Sequence, residues 1–372
     1  MDFDFYLPTH IISGAECVRG GGAVFSSLGR KCLIVTGKSS AKACGALDDC
    51  TAVLDEQGIA YRVFDGIGQN PLVSSCEAAG KLAREFGAEF LIGIGGGSPL
   101  DATKAIAFFA CNDLHGVDIY GDLPKNALPM VLIGTTAGTG SEVTPYSVLT
   151  VDETGRKRSF RDKHGLSYAS YVFSDPKYTA SLPYDFTIST ALDALCHALE
   201  GYFASNATDI SDMFATRGID VIVQALENIK NKPKEEILMS DREMLLYGSL
   251  YAGVTINTTG TGFCHPLGYF LTEEYQVPHG QACAVFLRDY LREAKEHLSD
   301  KYEALFGTLG YSGNKVLALI GELLDVDLPV LSENTLKEVA QRGAPTGNFL
   351  HSPGVFTEEK AFALLKKIFN LL

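Results

Sequence analysis

A chain of 372 residues exceeds the ~250 to 300 at which a single core usually stops growing, so about two domains are expected. A hydrophobic content of 46% with 38 Gly and 14 Pro excludes a disordered or collagen-like polymer, and a net charge of −14 argues against nucleic acid or an anionic membrane as partner. The nine Cys show no CxxC spacing and read as reduced thiols of a cytoplasmic protein; residues 1–5 lack the basic and apolar parts of a signal peptide, and there is no long apolar run suited to a membrane span.

In chain order, Lys31–Thr36 is a buried strand, followed by Gly37-Lys38-Ser39-Ser40 and a helix from Leu47 to Leu54. Tyr61–Phe64 is a second strand and Val73–Phe86 a second helix. Phe90–Ile94 is a strand running into Gly95-Gly96-Gly97-Ser98-Pro99, with a helix over Asp101–Cys111. Met130–Ile133 is a further strand that opens onto Gly134–Glu142. Strands alternating with helical lengths predict βαβ units and a mostly parallel sheet, whose ligands bind at the carboxyl ends of the strands. After Asp175-Pro176 the period becomes helical, with segments near 186–204, 209–229, 235–258, 281–297, 315–323, 333–342 and 357–371 and no persuasive strand. The boundary is placed near residue 180: residues 1–180 form an α/β, Rossmann-like domain and residues 181–372 an all-helical one.

Asp193 and His197 stand four apart in an apolar run, so on a helix both leave the same face. His265 and His279 offer two more imidazoles, and one Asp with three His is an oxygen and nitrogen set without thiolate that favours Zn²⁺ or Fe²⁺. On spacing alone, an ion site and a satisfied Asp–His hydrogen bond both stay open.

Gly95, Gly96, Gly97 and Ser98 follow a strand and precede a helix, where bare backbone donors and the helix dipole suit a phosphate. Leu100 stands where the GxGxxG pattern needs its third Gly, so a tight turn with no ligand is the competing reading. Gly37-Lys38-Ser39 is no P-loop ending, because position 32 is Cys. Gly37, Lys38, Ser39 and Ser40 present no carboxylate and would accept a ribose 2′-phosphate, which favours NADP(H) over NAD(H); a helix cap by Ser39 or Ser40 is the alternative. Thr135, Thr136 and Thr139 add uncharged hydroxyls for pyrophosphate or carboxamide contacts.

Together, Pro8-Thr9, the run Gly95–Asp101 with Lys104, Thr135–Glu142, Asp193–Glu200, His265 and Pro278-His279-Gly280 make the chain similar, over nearly its whole length, to the iron-containing (group III) alcohol dehydrogenase family. The resemblance implies a dehydroquinate synthase-like fold: an N-terminal Rossmann-like domain and a C-terminal all-helical metal domain, commonly as a dimer. It assigns the metal to Asp193, His197, His265 and His279, and the cofactor to Gly95–Ser98 with Asp101, Thr135, Thr136, Thr139, Asn70, Lys157 and the residues after the first strand. Tyr269 stands where many members carry a further His, Gly134 replaces a usual Pro, and Leu287-Arg288 a Leu-Pro. The expectation is a metal-dependent alcohol dehydrogenase or aldehyde reductase acting on a small alcohol or aldehyde, with Fe²⁺ (or Zn²⁺) as Lewis acid, NADP(H), Tyr269 a weak proton-relay candidate, and a homodimeric state. Its rivals are an NAD- and zinc-dependent glycerol dehydrogenase or dehydroquinate synthase-like enzyme, and a nucleotide- and metal-binding protein without turnover.

Overall fold

The computed structural model describes residues 3–233 and 236–369. They divide into two compact units, one spanning Tyr6–Leu182 and the other running on from Pro183 and including the segment that ends at Phe5. In the first unit the order is β1 (His10–Ser13), α1 (Gly22–Leu28), β2 (Lys31–Thr36), α2 (Ser40–Ala43), α3 (Ala46–Glu56), β3 (Ala60–Phe64), α4 (Val73–Phe86), β4 (Phe90–Gly95), α5 (Gly97–Cys111), β5 (Met130–Gly134), β6 (Ser147–Thr150), β7 (Lys157–Phe160) and β8 (Tyr171–Ser174).

Six of these strands form one parallel sheet in the order β1-β8-β5-β4-β2-β3, and β6 and β7 pair as an antiparallel hairpin. The inner strands β4 and β5 are apolar throughout because helices cover both faces. Leu33, Val35 and Leu91 pack on one side with Ile106, Phe108 and Phe109 of α5, while Cys32, Ile34, Ile92 and Ile94 pack on the other with Phe25 of α1 and Val53 and Leu54 of α3. The chain leaves β2 toward β3 in one direction and returns to β4 on the other side, so the strand order reverses between β2 and β4. The carboxyl ends of those two strands, Thr36-Gly37 and Gly95-Gly96, therefore flank the ligand crevice typical of such sheets.

The second unit is helical: α6 (Tyr184–Tyr202), α7 (Asp209–Ile229), α8 (Met239–Thr259), α9 (Cys264–Tyr275), α10 (His279–Ala284), α11 (Leu287–His297), α12 (Ser299–Leu309), α13 (Gly313–Leu323), α14 (Glu333–Gly343), α15 (Gly347–His351) and α16 (Glu358–Ile368). Thr208 caps α7 by accepting from the Ser211 amide, and Ser312, Ser332 and Thr357 cap α13, α14 and α16 in the same way. No helix among the described residues is long and apolar enough to cross a membrane.

Several elements differ from expectation. The strands β1, β6, β7 and β8 are each four residues long, too short for a periodic signal. The helix expected over 281–297 is two, α10 and α11, because apolar residues, all buried but Val285, run on across the break from Ala282 to Leu287 and hide it from periodicity. The helix α9 was not expected since Pro266 and Gly268 lie within it; Pro266 falls in the first turn, where its missing N–H costs nothing. The expected start at 235 and the expected end at 370–371 lie outside the described residues.

Candidate active site

In the helical unit, α6 presents Asp193 and His197 one turn apart, His265 is the second residue of α9, and His279 opens α10. The three imidazoles meet at a single oxygen: the Nε2 atoms of His265, His197 and His279 lie 3.5, 3.8 and 3.8 Å from Asp193 Oδ1. The His197 and His265 rings stack with centroids 4.6 Å apart, and Asp193, His197 and His265 are all buried, whereas the His279 side chain is 27% exposed. Asp193 Oδ1 and His265 Nε2 are buried without any hydrogen-bond partner. Polar atoms so placed are costly unless something else satisfies them, and a divalent cation bound by one carboxylate and three imidazoles does so. Burial alone would raise the Asp193 carboxyl, but the imidazoles of His197, His279 and His265 overcome it and hold the group well below the usual carboxylate range.

Three neighbours shape this cluster that the sequence reading did not assign. Glu200, fully buried, accepts hydrogen bonds from the Cys264 amide at 2.8 Å and from His265 Nδ1. A proton held on Nδ1 by Glu200 makes Nε2 the atom of His265 that could ligate a cation beside Asp193, the arrangement by which an outer carboxylate orients a metal-binding imidazole. Glu200 follows Asp193 by seven residues and His197 by three, so its place on the same helical face was a usable signal. Gly280 lies so close to α6 that a Cβ there would overlap the Ser189 carbonyl oxygen and stand 2.9 Å from the Asp193 amide nitrogen. Cys283, one turn after His279, brings its Sγ to 3.7 Å from His279 Nε2, and it, Asp193, His265 and His279 offer ligand atoms within 4.8 Å of one another. Tyr269 stacks on the His279 ring at a centroid distance of 5.4 Å.

In the α/β unit the structure brings the two glycine-rich turns together. Gly95 takes a φ of +153°, and the Thr135 amide donates to its carbonyl at 2.9 Å. A Cβ on Gly96 would meet Thr136 Cγ2 at 3.1 Å and one on Gly97 would meet Thr139 Cγ2 at 2.7 Å, so bare backbone is needed where the threonines press against the start of α5. The hydroxyls of Thr36 and Thr135 are buried with no hydrogen-bond partner, both at carboxyl ends of strands, which fits a polar ligand along that edge. Ser98 enters the first turn of α5. Lys38, Ser39 and Ser40 are exposed after β2, and Ser39, at the start of α2, makes no capping hydrogen bond. Asn70, at φ +57°, accepts through its carbonyl from Thr150 Oγ1 at 3.3 Å, and Thr150 pairs with Lys157 across the hairpin.

Asp101 is engaged differently from a residue free to meet a ligand. Its carboxylate accepts from Ser141 Oγ at 2.5 Å and from the Val148 amide at 2.9 Å, with Lys104 Nζ at 3.6 Å. Burial pushes the Asp101 and Glu142 carboxyls up and the Lys104 ammonium down, against the attraction of Lys104 for the two carboxylates.

Known proteins share this plan. Residues 8–176 match the model of the family described as iron-containing alcohol dehydrogenase, and residues 187–340 match the C-terminal model of the same family. A 1,3-propanediol dehydrogenase of Klebsiella pneumoniae is 30% identical over 99% of each chain. The solved structure of an iron-containing alcohol dehydrogenase from Thermotoga maritima is 35% identical with a TM-score of 0.90, covering 99% of this chain and 100% of that one. A sulfoacetaldehyde reductase from Bifidobacterium kashiwanohense, solved in complex with NAD+, is 25% identical with a TM-score of 0.89 over 99% of each chain. With both of its units matched and the histidine cluster in place, the chain belongs to the iron-containing alcohol dehydrogenase family, a family of alcohol and aldehyde oxidoreductases.

Proposed function

We propose that the protein reduces a small aldehyde, or oxidises the matching alcohol, with NADP(H) as the hydride carrier and Fe²⁺ held by Asp193, His197, His265 and His279. The observation that carries this reading is the meeting of three imidazole nitrogens at the buried Asp193 Oδ1. When bound, the ion supplies Lewis acidity toward the substrate oxygen. The protein's own groups do the rest. Asp193 gives the ion its one anionic ligand, Glu200 keeps His265 in the ligating tautomer, and the more exposed His279 marks the side on which substrate arrives. On the α/β unit, the start of α5 and the hydroxyls of Thr135, Thr136 and Thr139 hold the pyrophosphate, with Asn70 and Lys157 lending further contacts. A water chain and a cofactor ribose hydroxyl carry the proton, leaving Tyr269 to pack against His279. A homodimer in the cytoplasm completes the reading.

The preference for the phosphorylated cofactor rests on Lys38, Ser39 and Ser40, exposed after β2 with no carboxylate among them. A second reading, NAD(H), is favoured by Asp65, an exposed carboxylate following Phe64, which pairs with Val35 of β2. It is also the cofactor of the sulfoacetaldehyde reductase structure.

Aldehyde-dependent oxidation of NADPH and NADH, before and after chelation and reconstitution with Fe²⁺ or Zn²⁺, tests the proposal. Turnover that stops with chelator, returns with metal and is faster with NADPH supports it. Silence toward every short-chain aldehyde after reconstitution contradicts it.

A further inference from the structure

Lys104 is fully buried in α5, two turns in from the glycine-rich start of that helix. Its ammonium spends all three donors on one segment: the Ser141 carbonyl at 2.7 Å, Ser141 Oγ at 2.9 Å and the Tyr146 carbonyl at 2.6 Å. Asp101, one turn earlier, holds the same segment through Ser141 Oγ and the Val148 amide, and its own carbonyl accepts from Ser147 Oγ at 2.8 Å. A buried cation is tolerated only where fixed acceptors replace its water, so these contacts hold one arrangement of the loop and not several. The segment they grip begins at Ser141, whose amide donates to Thr139 Oγ1 at 3.3 Å, and Thr139 is the residue that presses on Gly97. The grip thus passes from Lys104 through Ser141 and Thr139 to the helix start.

We propose that Lys104 is a positioning residue for the dinucleotide, an internal clamp that locks the loop after β5 against the start of α5 so that the two glycine-rich turns act as one rigid cradle. This rests on the reading above that a nicotinamide dinucleotide occupies those turns. Asp101 is the second jaw of the clamp, which gives its carboxylate a task inside the protein. A displacement of ~1 Å in such a cradle is enough to cost on the order of a hundredfold in a positioned interaction.

The test is Lys104→Met, which keeps the length of the side chain and removes its donors, compared with the unmodified metal-loaded protein. Dissociation constants for NADPH and NADH by cofactor fluorescence, KM and kcat, metal content and melting temperature are read together. The dinucleotide Kd and KM are expected to rise at least about tenfold while kcat at saturating cofactor stays within about threefold and metal content is unchanged. A lower melting temperature with Kd within about twofold of the parent reduces Lys104 to a stabilising role and overturns the proposal. Should Lys104→Met fail to fold, Ser141→Ala decides: a Kd raised at least about threefold supports the clamp, and an unchanged Kd overturns it. If the unmodified protein binds neither dinucleotide, the dehydrogenase reading itself fails; if it binds and the variants bind equally well, only the clamp does.

Discussion

Replacing Gly280 with Ala probes the histidine cluster from its back. The added Cβ would overlap the Ser189 carbonyl oxygen and sit 2.8 Å from the Ser189 carbonyl carbon and 2.9 Å from the Asp193 amide nitrogen. These are backbone atoms of α6, so no side chain can swing aside. To reach ordinary contact, α10 must retreat from α6 by ~1 Å or more, a strain worth about 1 to 3 kcal/mol in a packed interior. His279 is the adjacent residue and moves with it, while metal–ligand distances tolerate only about 0.2 Å. Loss of one well-placed ligand lowers metal affinity by at least ~10- to 100-fold, the range seen even when only a ligand's supporting partner is removed. The assay is metal content after dialysis against graded chelator, with circular dichroism to establish that the helices remain. Gly307→Ala is the control, because a Cβ there meets nothing within 4 Å. Gly280→Ala protein that keeps its metal at the parent's chelator midpoint would refute this reasoning.

Other outcomes follow from the same geometry. Glu200→Gln should weaken metal retention by about 10- to 100-fold without unfolding the helical unit, since it removes the carboxylate at His265 Nδ1; unchanged chelator titration would count against that role. Tyr269→Phe should keep most of the turnover, because the phenyl ring preserves the stacking on His279, and a loss near a thousandfold would make the hydroxyl part of the proton route. Gly37→Asp should raise the KM for NADPH at least about tenfold and spare that for NADH, as a new carboxylate repels the 2′-phosphate. The new Cβ would meet the Ile67 carbonyl oxygen at 3.3 Å, a tight contact with backbone that must give slightly to admit it, and an unaltered preference would move the 2′-phosphate site elsewhere.

The sequence declared what is buried and continuous. Strands β2, β4 and β5 are uninterrupted apolar runs because both faces of the sheet are covered, and α4 and α7 show clean helical periods. It concealed what depends on distant partners. The strand β1 becomes a strand only by pairing with β8, and the hairpin β6–β7 carries Arg158 and Ser159 on exposed positions that give no apolar alternation. The site divides in the same way. Asp193 and His197 are legible as a pair because one helix turn fixes their separation, whereas His265 and His279 lie on other helices: residue type alone offers them as ligands, and only the family resemblance, not a local pattern, ties them to the pair. Glu200 was overlooked although its spacing put it on the right face, since a Glu in an apolar run acquires meaning only once His265 is known to reach it. Asp101 enters as a cofactor contact through the family resemblance; Ser141 and Val148, which engage its carboxylate, lie some forty residues on, beyond any local pattern.

Deuterium transfer from the C4-deuterated nicotinamide to the product carbon is the most direct measurement of the central claim. Metal-loaded protein given a short-chain aldehyde and C4-deuterated NADPH should yield an alcohol labelled at its carbinol carbon, and the label should vanish when Asp193 is replaced by Ala or the metal is removed. Labelled alcohol at an undiminished rate from the Asp193→Ala protein would contradict the claim that this carboxylate and its three imidazoles assemble the reacting centre.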